Sequence, residues 1–371
     1  MSNMHHDFFT TRRNISISPT MEANVKPQIS CVSLGMVILD EIRMPNKPPL
    51  LNVIGGSATF VTLGLRLFAS KDLPSGCLVL AGSDFPDDVK DEFYRWRNFV
   101  RMIIDTDISK LSSRGLLTYE DDTFGPKTFE YTTPPIRARP KNLVVSDNAL
   151  LGAKAFHLFG SPEDITEQVT ELLSLREKHH PDLPRPLLVW ELLPSACNPA
   201  QRDSFFKACS LVDVFSPNHL ELLALFSDHS SQSDSKDTLQ HLERLGNVFL
   251  ENAIGPDSTG TLIVRASGDG ALAMRRDAPT VRVPAFYAHN APQVVDPTGA
   301  GNAFLGGYIA GWLREGDVKE ALCYGAVAAS FALEQIGLPR SEDVSREVGM
   351  QRLEVFRQRL RDKQDMGQII M

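Results

Sequence analysis

The stretch VVDPTGAGNAFLGGYIAGW, residues 294–312, decides how the rest of the chain is read. Gly299, Ala300 and Gly301 precede an apolar pattern at helical spacing: Phe304, Leu305, Tyr308, Ile309 and Trp312. Glycines let a backbone turn sharply and approach a ligand. The first turn of a helix then directs N–H groups, and the positive dipole end, at what lies before it. An anion is the natural occupant, although an ordinary helix start has the same glycines. The order strand–Asp–x–Thr–Gly–x–Gly–helix is more specific. Asp296 offers a carboxylate to a metal or its water, and Thr298 a hydroxyl to a phosphate.

Outward from this turn, strand-like and helix-like segments alternate along most of the chain. That predicts an α/β fold with a mostly parallel sheet and helices on both faces. Strands are expected at 29–39, 76–84, 153–161, 185–193, 211–218 and 261–270, with a helix over 57–69. Ligands in such sheets bind at the carboxyl ends of the strands. Two segments break the rhythm. Residues 41–54 are proline-rich, and 114–135 alternate β-formers around Phe124-Gly125, a hairpin signal. Both fit a small β flap over the ligand edge, and both also fit surface loops. The stretch 227–236 is a polar surface loop. Met350, Leu353, Phe356 and Leu360 form a stripe expected to pack a C-terminal helix on the domain. The expected organisation is a disordered tail at 1–27, one domain at 28–345, and a helix and tail at 346–371.

Composition narrows the classes. The 371 residues are 42% hydrophobic and 23% charged, with net charge -8. A full core is expected, and no basic face predicts nucleic acid. The five cysteines are widely spaced without a C-x-x-C, which reads as buried reduced thiols. No apolar run has transmembrane length, and the N-terminus has no apolar signal core. A cytoplasmic protein without membrane partners is the expectation.

The 296–307 motif resembles the second signature of the ribokinase-like, or PfkB, carbohydrate kinase family: D-[TP]-x-G-A-G-D, then a helix with F-x-G-G. Here it reads Asp296-Pro297-Thr298-Gly299-Ala300-Gly301-Asn302, followed by Phe304-Leu305-Gly306-Gly307. Gly35 with Asp40, Gly55-Gly56, SPNHLEL at 216–222 and VRASGDGAL at 264–272 extend the resemblance over roughly 29–340. VWELLPSACNP and DVFSPNHLELLALF look most like fungal PfkB-like proteins of the maintenance-of-killer type. The resemblance implies ATP-dependent transfer of phosphate to a hydroxyl of a sugar- or nucleoside-like molecule, by a monomer or a homodimer. Its cofactors would be ATP and Mg²⁺, with a monovalent cation as a further candidate. Gly299, Ala300 and Gly301 would form the anion hole. Ser267, Gly268, Gly270, Asp296 and Thr298 would lie by the nucleotide. Asn218 and Glu221, the N-x-x-E pair, would organise Mg²⁺ through water. Asp40, Gly55, Gly56 and Phe60 would face the acceptor.

Two positions depart from the pattern. Phe60 stands where the family has a sugar-binding asparagine, and a phenyl ring offers no conventional hydrogen bond to a hydroxyl. Asn302 stands where the family has the aspartate that takes the acceptor's proton. An amide can orient a hydroxyl but takes no proton near neutral pH. General-base catalysis contributes ~10²–10⁴-fold, so a slow kinase and a catalytically inactive nucleotide- or metabolite-binding pseudokinase are both compatible with the sequence.

Overall fold

The computed structural model describes residues 28–71, 73–121, 127–226 and 235–369. Among them the larger sheet has nine strands. In spatial order these are β13 (Val281–Val283), β12 (Ala271–Met274), β11 (Thr261–Arg265), β10 (Val214–Ser216), β9 (Leu187–Leu192), β8 (Ala155–Gly160), β1 (Cys31–Ser33), β4 (Ser75–Gly82) and β5 (Val100–Asp107). Every pairing from β11 to β5 is parallel, and β12 and β13 add an antiparallel edge. Central strands covered on both faces read as continuous apolar runs, and LLVWEL in β9 is buried at all but its first residue. A second sheet has the order β3 (Leu50–Gly55), β2 (Ile38–Arg43), β6 (Arg114–Tyr119), β7 (Lys127–Tyr131). This is the expected flap. The 122–126 turn, including Phe124-Gly125, lies outside the described residues, as do 1–27 and 227–234.

The helices are α1 (Ser57–Arg66), α2 (Asp87–Arg95), α3 (Pro140–Leu151), α4 (Pro162–His179), α5 (Arg202–Cys209), α6 (His219–Ala224), α7 (Ser235–Glu251), α8 (Ala300–Glu315), α9 (Val318–Leu333) and α10 (Arg346–Ile369). They cover the main sheet in two apolar layers. No helix among the described residues is long and apolar enough to cross a membrane. On α10, Leu353 and Phe356 are buried, with Met350 and Leu360 packed against the same core.

One expected strand divides. Residues 29–39 hold all of β1 in the main sheet and the start of β2 in the flap. The break follows from local hydrogen bonding, because Ser33 Oγ accepts the Gly35 N–H and Ser57 Oγ accepts the Met36 N–H. The chain thus leaves one sheet for the other at the carboxyl end of β1, and Asp40 enters the flap.

Close helix packing sets the position of α8. A Cβ on Gly306 would lie 2.0 Å from the Val61 carbonyl oxygen of α1, and one on Gly307 2.5 Å from the Tyr324 carbonyl oxygen of α9. The paired glycines of the F-x-G-G motif therefore seat α8 between two helices at backbone contact. This fixes where its N-terminus meets the sheet edge.

Candidate active site

Gly299 caps α8 with φ 80°, in the left-handed region that favours glycine. A Cβ there would also come within 2.3–2.4 Å of the Phe60 ring. Phe60 is only 2% exposed. Its ring forms the floor beneath the glycine turn.

Beneath Gly301 stands Arg265, from the end of β11, with Nη1 2.6 Å from where a Cβ would lie. Its Nη1 donates to Glu191 Oε1 at 3.1 Å and its Nη2 to the Ser216 carbonyl at 3.0 Å. Nη2 also lies 3.5 Å from Glu221 Oε2. Glu191, at the end of β9, is 6% exposed and lies against His157 Nε2 at 3.0 Å. His157 Nδ1 in turn meets Ser33 Oγ at 2.8 Å. Asn302 completes the network, with Nδ2 donating to Glu191 Oε1 at 2.7 Å and Oε2 at 2.6 Å. Burial works to raise the Glu191 pKa, but Arg265, His157 and Asn302 together hold it below the ordinary glutamate value. Glu191, Arg265 and His157 were not singled out from the sequence. The available signal was a lone ionisable residue in each of three apolar strands, LLVWEL, TLIVR and AFHLFG.

Asn218 and Glu221 come together as a reciprocal cap of α6. Asn218 Oδ1 accepts the Glu221 N–H at 2.9 Å, and Glu221 Oε2 accepts the Asn218 N–H at 2.7 Å. Glu221 is 6% exposed. Burial pushes its pKa up to about 7, against the pull of Arg265 and the Asn218 N–H and with the repulsion of Glu191.

From the flap, Tyr119 OH donates to Asp296 Oδ1 at 3.0 Å and meets Thr298 Oγ1 at 3.0 Å. Lys127 donates to Thr298 Oγ1 and lies 4.0 Å from Asp296 Oδ1. Asp296 also accepts the Thr298 N–H at 2.9 Å. Flap and turn are thus joined by side chains at both ends. Ser267, Gly268 and Gly270 line a separate groove of about 240 Å³ with Ala300, Gly301 and Phe304.

Asp40 lies between two glycines. A Cβ on Gly55 would fall 2.0 Å from its Oδ2, and one on Gly115 2.4 Å from its Oδ1. Asp40 is 6% exposed, and its Oδ1 has no hydrogen-bond partner among the described residues. Burial pushes its pKa up to about 7, with Lys127 opposing and Asp296 adding to the rise. Because the folded pKa is raised, stability falls as pH climbs from the unfolded value near 4 through about 7. Asp40→Asn is therefore expected to match wild type near pH 4 and to exceed its stability above pH 7, by up to about 4 kcal/mol. Urea unfolding at the two pH values checks this; an equal difference at both would remove the buried-carboxylate argument.

The family model for pfkB family carbohydrate kinases matches residues 118–343. The chain belongs to the PfkB carbohydrate kinase family. An uncharacterized Schizosaccharomyces pombe protein is 30% identical over 90% of this PfkB chain and 92% of its own length. Saccharomyces cerevisiae MAK32 is 29% identical over 85% of this chain and 87% of that protein. An E. coli protein described as a ribokinase II, solved in complex with ATP and Mg²⁺, superposes with TM-score 0.62 at 19% identity. It covers 89% of this chain and 99% of that one. The fold is ribokinase-like, a mostly parallel sheet with helices and a smaller flap sheet.

Proposed function

We propose that the chain transfers the terminal phosphoryl group of ATP to a hydroxyl of a sugar- or nucleoside-like small molecule. The observation that carries this reading is Asp40. A buried carboxylate oxygen left without a partner costs folding free energy. Its walls, Gly55 and Gly115, leave room for backbone only. An acceptor hydroxyl donating to Oδ1 would satisfy it. In this reading the N-terminus of α8, at Gly299, Ala300 and Gly301, receives the transferring phosphoryl group, with the Arg265 guanidinium adding positive charge beneath Gly301. The nucleotide lies along the groove beside Ser267, Gly268 and Gly270. Asp296 and Thr298, joined to Tyr119 and Lys127, hold the flap against the turn.

Asn218 and Glu221 suit a water-bridged Mg²⁺. A single carboxylate is adequate for an ion that keeps most of its waters, and a buried Glu221 with raised proton affinity gains from a nearby cation. Bound there, Mg²⁺ would neutralise phosphate charge. Asn302 favours a second reading, nucleotide binding without turnover, since no carboxylate stands at that position.

Calorimetry with Mg·ATP is the direct test. Binding is expected at or below millimolar nucleotide, and no heat of binding by folded protein would sink both readings. A phosphotransfer screen against sugars and nucleosides then separates them. Turnover supports the kinase, and binding without turnover on any acceptor supports the alternative.

A further inference from the structure

Asn302 Nδ2 contacts both oxygens of Glu191. The reverse orientation would set an amide oxygen against a carboxylate, two acceptors without a hydrogen between them. Glu191 therefore fixes which way the amide points. With Nδ2 held inward, Oδ1 faces away from Glu191. Glu191 is itself held by Arg265 from β11 and His157 from β8, and His157 is held by Ser33 from β1. Three strand ends thus immobilise one carboxylate whose remaining contact is the side chain at the family's proton-accepting position.

We propose that Glu191 is a positioning residue for phosphotransfer: it locks Asn302 so that Oδ1 accepts the hydrogen bond of the acceptor hydroxyl. This rests on the phosphotransfer reading above. Asn302 takes no proton; it aligns the hydroxyl oxygen with the γ-phosphorus. An O–P bond to the acceptor forms as the bond from the γ-phosphorus to the bridging oxygen breaks, ADP leaves, and the hydroxyl proton passes to a phosphoryl oxygen or to solvent. The pair holds one amide and one carboxylate, and what matters is that it holds only one of each. Asn302→Asp alone puts two carboxylates at the 2.6–2.7 Å now spanned by a hydrogen bond. Such a pair shares a proton rather than supplying a free base. Exchanging the two groups, in E191Q/N302D, preserves the charge and the amide-to-carboxylate bond and places the carboxylate on the acceptor side.

The test is a double-mutant cycle on the full chain. Its readouts are melting temperature, Mg·ATP affinity by calorimetry, and turnover at saturating Mg·ATP. Turnover uses water as acceptor and then a panel of sugars and nucleosides. E191Q is expected to lower turnover at least about tenfold, with affinity within about threefold of wild type. N302D is expected to melt lower than wild type and to gain no turnover. E191Q/N302D is expected to recover melting temperature and to turn over at least about tenfold faster than the product of the single effects. If E191Q alone does not fold, N302D with and without E191Q carries the same contrast. Turnover with multiplicative single effects, or a gain in N302D alone, overturns the role of Glu191 and leaves the kinase reading standing. No turnover in any variant, with Mg·ATP bound, overturns the kinase reading together with it, even where the melting temperatures remain coupled.

Discussion

Replacing Arg265 with methionine is expected to destabilise the fold by about 3–5 kcal/mol at pH 8. Methionine has comparable length and fills the space, so little of the loss would come from a cavity. The loss comes from charge. Arg265 lies 3.1 Å from Glu191 and 3.5 Å from Glu221, both nearly buried, and it is the cation between them. Removing it leaves two carboxylates facing each other at low dielectric. The pH dependence has a definite sign. Glu221 already binds its proton with a pKa of about 7 when Arg265 is present. Without the guanidinium, the folded-state pKa values of both glutamates rise, that of Glu221 further above its unfolded value and that of Glu191 from below it. The variant therefore regains stability relative to wild type as pH falls from 8 towards 5, as protons replace the missing cation. Chemical unfolding at pH 8 and pH 5 measures both numbers. A loss below about 1 kcal/mol, or the same loss at both pH values, would show that solvent rather than Arg265 compensates these carboxylates.

Gly299→Ala is expected to lower phosphotransfer by about 10²–10³-fold and to weaken Mg·ATP binding, because the backbone donors of the α8 turn would move off the phosphate. Two causes act together. The residue sits at φ 80°, where an L side chain costs about 1–2 kcal/mol, and the added methyl would meet the Phe60 ring at 2.3–2.4 Å. Adding Phe60→Leu to the Gly299→Ala variant separates them, since it opens space without relaxing the backbone. Partial recovery assigns part of the defect to the ring, and none assigns it to the turn itself. A Gly299→Ala protein with wild-type affinity and turnover would mean that the turn does not seat a phosphate.

The sheet and its ligand edge were legible because apolar runs and glycines are local signals. Residues 185–193 needed no partner to read as a strand, and β9 lies within them. Phe60 was legible only as a departure from the signature, because its packing depends on a glycine 239 residues later in the chain. The Asn218 and Glu221 pair was legible as a pattern, but its reciprocal cap was not assigned. The Glu191 network was illegible because its members lie far apart in sequence. Ser33 and His157 are separated by 124 positions, and Glu191 and Asn302 by 111. Apart from Asn302, which the helix motif marked, each looked like an isolated polar residue in a strand. Only the parallel register, which sets Ser33 beside His157 and Ser216 beside Glu191, aligns them.

The joint between Tyr119, Lys127, Asp296 and Thr298 constrains how this chain can change over evolutionary time. In the proposed reading, the flap is the doorway for an acceptor and the turn the seat of the phosphate, and the same four side chains join the two. A substitution that widens the doorway at Tyr119 removes a donor from Asp296, and one that alters charge at the turn loosens the doorway. Neither property can drift alone. The walls around Asp40 are no freer, because a Cβ on Gly55 or Gly115 would meet that carboxyl. Among relatives the joint should therefore change only by paired substitutions.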